Sequence, residues 1–539
     1  MKWLMPSIVI LSIALAILFR VVLPFGNVFS DGVQLNTPDG YLMVRYADMW
    51  PDIPQIDYFQ DYPNGVNVNI KVWPSVIALT ARLTGMTNME SAAVLPPLLF
   101  LLTLVPLYII ARTLFNRKVA VGSVAVFCLL PGELLNRTML GAADYHAWEL
   151  CLASYAMMFV ILAIYNREDI VHLFTYSLVS LIIWVLYFNS WPGALWLVFV
   201  MGICLTLYVY LHKKDIALWI SYGAIVGVAL TAALVFYPDI TKFYLNEMVK
   251  MFSLNLGATV TEEMSLFFSF GKFDLNTSWL YFGVCFYFVL VGLGWLAYRY
   301  IKERKATDLV FLVWSVISLA MMICRRRYDY YFAFNAAIIT SFVLVSVAQY
   351  LSISKANKIK IAVVVLMAVC LPLIRADVYI STANTYMSQG WREATNYLRI
   401  ASCPANQCSL CYDSNSAQYK AYKTGDMYGF GVFSWWDYGF WIIKQSHLPT
   451  YCEGSERDLE GSILVSSETE KALVSLRTLK MRFVVTDKEM LTTKWYPISK
   501  GRVIEKEKTL VYKLCNAEEV QGFKRVFASE NVTIFEVEK

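Results

Sequence analysis

The chain has 539 residues, of which 58% are hydrophobic and only 16% charged, with a mean hydropathy of +0.50. A soluble fold of this length cannot hide so much apolar surface, so the bilayer is its solvent. The formal net charge of +5 is spread among the loops and forms no basic block, so it gives no sign of a nucleic acid partner.

A helix crossing the roughly 30 Å hydrocarbon core needs about 20 apolar residues. Such runs begin with Trp3 to Phe25, which is too long for a signal-peptide core and lacks a small-residue cleavage site, so it reads as a retained first helix. Further spans are expected at about 92–114, 118–131, 147–165, 171–189, 191–212, 216–237, 279–301, 308–324, 330–351 and 359–378, eleven with the first as a minimum. The run near 73–84 is ambiguous. Beyond residue 378 the composition becomes that of a globular domain, rich in Lys, Glu, Ser and Asp, with short apolar runs such as 481–486 that read as strands. The chain is therefore divided into a membrane domain, 1–378, and a soluble domain, 379–539.

Basic residues set the orientation, because loops rich in Lys and Arg stay in the cytoplasm. Arg117 with Lys118, Arg167, Lys213 with Lys214, Arg304 with Lys305, and Lys355 with Lys358 fall in loops of one parity. The other loops, and the soluble domain, then face outward. Only Arg325, Arg326 and Arg327 break the pattern, and charges at the mouth of a membrane helix mark a candidate site. The soluble domain carries Cys403, Cys408, Cys411, Cys452 and Cys515. A disulfide is preferred there over half of a zinc site, since no second pair completes a metal set.

The outward loops hold the polar residues that can carry chemistry. Asp39 follows Pro38 before a helical pattern, Asp144 and His146 stand at the mouth of a span, and Glu262 and Glu263 lie in a long loop. Together they suit Mg²⁺ or Mn²⁺, which takes oxygen ligands and tolerates a histidine. Each has a plainer reading: Asp39 as a helix cap, Asp144 and His146 as a polar loop end, the glutamates as a solvated face. Residues 434–441, SWWDYGFW, make a better pocket than a core strand, because an unpaired buried aspartate is costly. Indole faces supply walls, indole N–H groups donate, and Asp437 accepts from a hydroxyl. The alternative for this segment is aromatic packing.

The pentapeptide WWDYG at 435–439 resembles the signature of the catalytic subunit of oligosaccharyltransferases, most nearly the short archaeal AglB type. The resemblance implies a multispan α-helical membrane domain of the GT-C glycosyltransferase type, followed by an external mixed α/β globular domain. It also implies an activity: transfer of a glycan from a dolichyl-phosphate- or pyrophosphate-linked donor to the asparagine of Asn-X-Ser/Thr in acceptor polypeptides, by a single-subunit enzyme in the cell membrane.

Residue by residue, the resemblance gives Trp435, Trp436 and Asp437 the acceptor Ser/Thr. Asp39 would bind the metal and contact the acceptor amide, and Asp144 and His146 would complete the metal set. Thr259, Val260, Thr261 and Glu262 match a TIXE motif with Val for Ile, which selects Glu262 for the acceptor amide. Arg327 would bind the lipid-linked phosphate, with Arg325 and Arg326 as possible partners in that task. The segment VVTDKEMLTTKW offers Met490 and Lys494, beside Asp487, to complete the Ser/Thr pocket, although neither family spacing fits it. Two other readings compete: a GT-C enzyme acting on a non-protein acceptor, which has no use for WWDYG, and a polytopic lipid or solute transporter, which would show internal repeats.

Three sequons, Asn136-Arg-Thr138, Asn276-Thr-Ser278 and Asn531-Val-Thr533, lie in segments assigned outside, with Asn531 expected to be the most readily modified.

Overall fold

A computed structural model describes residues 4–69, 71–211, 242, 246, 248–254, 261–269, 272–350, 355–383, 386–402, 431–451 and 458–538. The chain separates into two compact units that are not contiguous in sequence. The first comprises Met1–Gly26, Pro96–Leu140 and Tyr145–Ala383; the second comprises Asn27–Leu95, Gly141–Asp144 and Asn384–Lys539. The second unit thus takes in the first long loop, and is more than the contiguous tail that composition marks off.

The first unit is helical. Among the described residues six helices are long and apolar enough to cross a membrane: Met5–Phe29, Asn88–Leu114, His146–Tyr165, Ile170–Ser190, Ala306–Cys324 and Arg326–Tyr350. The pair Asn276–Phe282 and Cys285–Glu303 forms a seventh candidate, bent by 82°. Leu195–Leu211 and Lys355–Thr382 are also helical, whereas the expected span at 216–237 lies outside the described residues. The span expected at 118–131 is a shorter helix, Arg117–Cys128, of 12 residues. At 1.5 Å per residue it rises about 18 Å, less than the hydrocarbon core. Its apolar run continues through Leu130, but Pro131 and Gly132, the latter at φ +73°, turn the chain out of the helix.

Several membrane helices begin or end with local signals. Asn116 caps Arg117–Cys128 by accepting from Lys118 N and Val119 N, and Asp169 caps Ile170–Ser190 in the same way. The helix Asp329–Tyr350 is buried along its first fifteen residues, from Asp329 to Val343, which places it in the middle of the unit.

The second unit is built on a four-stranded sheet of β1 (Gly431–Phe433), β2 (Met481–Asp487), β3 (Phe523–Ala528) and β4 (Val532–Val537), in the order β1-β2-β4-β3. The run expected as a strand at 481–486 is the buried β2. β2 pairs with β4 antiparallel, Val485 opposite Ile534, and with β1 parallel, Phe433 opposite Val484. That parallel pairing matters for function. Two parallel neighbours finish at the same edge of a sheet, so the turns that follow β1 and β2 emerge side by side.

The helix Pro38–Asp48 belongs to this unit and packs on Gly439–Ser446. Backbone bonds tie the loop to the tail: Tyr62 N donates to Thr450 O (2.9 Å) and Thr450 N to Phe59 O (2.8 Å). Buried Arg45 pairs with buried Asp57, and Gln60 Nε2 also donates to Asp57 (3.0 Å), so the loop is folded around a buried polar cluster.

Candidate active site

In the second unit the WWDYG segment leaves β1 as a single 3₁₀ turn, Trp436–Tyr438, which runs into the helix Gly439–Ser446. Ser434 Oγ donates to Val485 O (2.8 Å), pinning the start of the turn to β2. A second 3₁₀ turn, Lys488–Leu491, follows β2, with Asp487 as its cap. From just beyond it Lys494 forms an ion pair with Asp437. Trp391 stacks on Tyr438 at 4.4 Å and donates from Nε1 to Asp487 (2.6 Å).

The aspartate of the motif therefore stands beside an ammonium, and the turn rests on a buried aromatic floor of Trp391, Tyr438 and Trp441. Tyr438 is pushed above the ordinary phenol range by burial and by Asp487, Glu489 and Asp437. Burial likewise raises the pKa of Asp487. Trp435 Nε1 and Trp436 Nε1 are screened from solvent and have no hydrogen-bond partner among the described residues. A buried donor without an acceptor is costly, and a ligand oxygen would satisfy it. Met490 is completely buried.

The same unit holds Asp39 and Asp144. Thr37 Oγ1 accepts from Gly40 N and is the cap of the helix, with Pro38 in its first turn, so Asp39 is an exposed first-turn acid and not the capping residue. Gly40 lets residues 142–144 approach: a Cβ there would lie 2.9 Å from Ala143 Cβ. Trp73 Nε1 donates to Ala143 O (2.8 Å) and Asn36 N to Gly141 O (3.0 Å), fixing that strand of chain against the helix start. Asp39 and buried Asp144 are thus carried on adjoining segments.

In the first unit His146 opens the helix His146–Tyr165. Its Nδ1 lies 3.1 Å from Glu149 Oε2 and 3.2 Å from Tyr330 OH, and Glu149 also accepts from Tyr330 (2.9 Å) and Tyr331 (3.2 Å). A carboxylate on one ring nitrogen is the usual support for a metal-binding histidine that ligates through the other. Glu149 was not among the candidates from sequence, although its i+3 spacing from His146 puts both on one helix face. Among the described residues no group of three His, Cys, Asp or Glu side chains comes together to hold a metal.

Thr259 and Val260 lie outside the described residues; Thr261–Glu263 forms a short 3₁₀ turn. Glu262 pairs with Arg137 and, at 3.9 Å, with Arg327. Burial opposes its ionisation, but Arg327, Arg137 and His146 outweigh it and hold the carboxyl at about 2, against an ordinary 4.5. Arg137 is itself braced by Glu133 (2.9 Å), one helical turn earlier.

The three consecutive arginines separate into two jobs. Arg326 donates to Ser265 O (2.9 Å), Phe268 O (3.2 Å) and Ser269 Oγ, and so anchors the loop. Arg325 and Arg327 both pair with Glu263.

Residues 388–491, which carry WWDYG and the turn after β2, match the AglB core domain. The chain is similar to the archaeal AglB proteins. Dolichyl-phosphooligosaccharide-protein glycotransferase 3 of Archaeoglobus fulgidus is 24% identical over 92% of this chain and 70% of its own length. Among solved structures, the archaeal oligosaccharyltransferase AglB from Archaeoglobus fulgidus, in complex with an inhibitory peptide and a dolichol-phosphate, superposes with a TM-score of 0.83 at 17% identity. That match covers 98% of this chain and 80% of the other. An Archaeoglobus fulgidus oligosaccharyltransferase in complex with Zn and sulfate superposes with a TM-score of 0.75 at 17% identity, covering 97% and 79%. The fold expected from the resemblance, a multispan GT-C membrane domain and a mixed α/β domain, is the fold observed.

Within each unit the expected residues gather. Trp435, Trp436 and Asp437 share a turn with Lys494 beside it, Asp39 and Asp144 adjoin, and His146, Glu262 and Arg327 belong to one electrostatic cluster. The sequence reading missed Arg137, Glu149, Tyr330 and Trp391, which brace those residues. Cys515 is free, and its Sγ donates to Asp487 O (3.3 Å); the other four cysteines of the tail lie outside the described residues.

Proposed function

We propose that the chain is an oligosaccharyltransferase that moves a glycan from a dolichyl-phosphate- or pyrophosphate-linked donor to the asparagine of Asn-X-Ser/Thr sequons. The observation that carries this reading is the WWDYG turn, whose two screened indole N–H groups have no partner among the described residues and whose Asp437 carboxylate pairs with Lys494. A Ser or Thr hydroxyl supplies what both lack: its oxygen accepts from an indole and its proton goes to Asp437. Lys494, paired with Asp437, positions that carboxylate at the turn. A glycosyltransferase with a non-protein acceptor, or a transporter, would leave this turn without a ligand.

An amide nitrogen is a poor nucleophile because its lone pair is delocalised into the carbonyl. Asp39 and Glu262 are assigned the N–H₂ of the acceptor carboxamide, each accepting a hydrogen bond that draws it out of conjugation. Glu262 suits this role because its arginine partners keep it ionised. Arg327 is assigned the donor's phosphate. Asp39, Asp144 and His146 are the residues that would hold Mn²⁺ or Mg²⁺, and their oxygens, with an imidazole already fixed by Glu149, fit such an ion. When bound, the ion would neutralise charge on the leaving phosphate. Residues 1–378 then form the membrane-embedded donor side and 379–539 the domain that reads the acceptor, both with their sites on the external face of the cell membrane, in a single-subunit enzyme.

The test is a peptide mobility assay. A labelled Asn-X-Thr peptide, a dolichyl-linked glycan and the purified chain, with Mn²⁺ or with EDTA, should give a slower band only for the sequon and only with metal. Equal modification of a Gln-X-Thr peptide, or none of either with any dolichyl donor, would remove the proposal.

A further inference from the structure

Glu263 sits one residue beyond the carboxylate assigned to the acceptor and does something different. Its two oxygens are taken by two arginines, Arg325 and Arg327, whose side chains are only 13% and 23% exposed, while Glu263 itself is 19% exposed. One carboxylate held between two guanidinium groups has the charge and the acceptor geometry of a bound phosphate, since both present paired oxygens to the same forked donors.

The surrounding charges leave little room for another anion. Arg137 already faces Glu133 and Glu262, and Arg327 faces Glu262 at 3.9 Å as well as Glu263. Arg326 is spent on Ser265, Phe268 and Ser269. A donor phosphate arriving at Arg327 would therefore meet two carboxylates in a partly dehydrated place, where like charges repel strongly. Glu262 is held on its far side by Arg137. Glu263 has no described cation other than Arg325 and Arg327, the second of which is assigned to the phosphate.

Resting on the assignment of Arg327 to the donor, we infer that Glu263 competes for the phosphate-binding position and is displaced from it when the lipid-linked phosphate binds. Glu263 thus sets the donor affinity: its attraction to Arg325 and Arg327 is subtracted from that of the phosphate. It also keeps the two arginines close together in the absence of donor, at a separation an anion can bridge.

The test uses the full chain in nanodiscs, with the dolichyl-linked glycan at saturating sequon peptide for turnover, and dolichyl phosphate alone for equilibrium binding. Two partly exposed ion pairs correspond to a change of about tenfold. Glu263→Gln should lower the donor KM and the dolichyl phosphate Kd by about that factor, leave the peptide KM unchanged, and strengthen the salt dependence of dolichyl phosphate binding. Glu263→Asp, which keeps a carboxylate, should stay close to the wild type and guards against misfolding of the neutral variant. Arg327→Ala should raise both donor constants. An unchanged or increased donor KM in Glu263→Gln, alongside weaker binding in Arg327→Ala, would overturn the inference and leave Glu263 a brace for the arginines. Unchanged donor binding in Arg327→Ala would overturn the assignment of Arg327, and the inference with it.

Discussion

Lys494 forms an ion pair with Asp437 although 56 residues of chain separate them, because β1 and β2 run parallel and release their following turns at one edge of the sheet. This pair sets a cation against the aspartate of the acceptor pocket. Lys494→Ala leaves Asp437 without its cation, and should raise the KM for a Thr sequon peptide by about tenfold while kcat at saturating peptide falls little. Asp437→Ala should be the more damaging change, since it removes the hydroxyl's acceptor itself. Steady-state kinetics with the peptide varied would check both. A Lys494→Ala enzyme with normal peptide KM would separate Lys494 from acceptor binding.

Arg327, and after it Arg137, oppose the protonation of Glu262 against its burial. The folded carboxyl titrates at about 2, below its ordinary 4.5, so the pairing adds stability above the ordinary value that is lost as the pH falls from 4.5 towards 2. In the wild type Glu262 should accordingly contribute no acid limb to the kcat/KM profile near neutrality. Arg137→Gln removes one cause of the depression and should shift any acid limb that Glu262 produces upward. Profiles of both proteins that still coincide across the pH range between about 2 and 4.5 would show that Arg137 does not set this group.

Trp391 ties the aromatic floor to the second turn. Trp391→Phe keeps the stack on Tyr438 but leaves Asp487 Oδ2 without its indole donor, and should cost about 1–3 kcal/mol of stability, seen as a lower melting temperature. The loss should shrink at lower pH. Burial raises the folded pKa of Asp487, so protonation there relieves the buried charge as the pH falls through that value. An unaltered melting temperature would mean that the hydrogen bond contributes nothing.

The sequence revealed most where chemistry is dense. Apolar runs disclose the membrane helices because burial in lipid permits little else, and WWDYG stands out because such residues in a row make a poor core strand. The attachment of residues 27–95 to the tail was not legible. It rests on backbone bonds such as Tyr62 to Thr450, which leave no side-chain pattern. Nor could spacing alone show that Lys494 meets Asp437, since that depends on strand pairing. The division of labour among Arg325, Arg326 and Arg327 likewise needed the loop in place: three identical side chains differ only in which oxygens surround them.

The chain's own sequons test how acceptors must present themselves. Asn276 and Asn531 are exposed, which by itself favours modification. The hydroxyl residues of all three sequons are buried, however: Thr138 is 1% exposed, Ser278 4% and Thr533 7%. Thr138 Oγ1 accepts from Arg20 Nε (3.0 Å), Ser278 Oγ donates to Leu275 O (2.8 Å), and Thr533 lies in β4 opposite Thr486. A pocket that recognises the sequon through its hydroxyl cannot reach any of them without local unfolding, and removing Thr533 from the sheet would break part of the β2–β4 pairing. The early preference for Asn531, drawn from its place in the soluble domain, is thus replaced by the expectation that the folded chain does not modify itself. A synthetic peptide with residues 528–536, ASENVTIFE, presents the same sequon in an extended form and should be glycosylated when offered in trans. Mass spectrometry of the folded chain and the peptide, incubated together with donor, decides the matter. Glycan on the peptide alone is the expected result, and glycan on Asn531 of the folded chain would show that a buried hydroxyl does not protect a sequon.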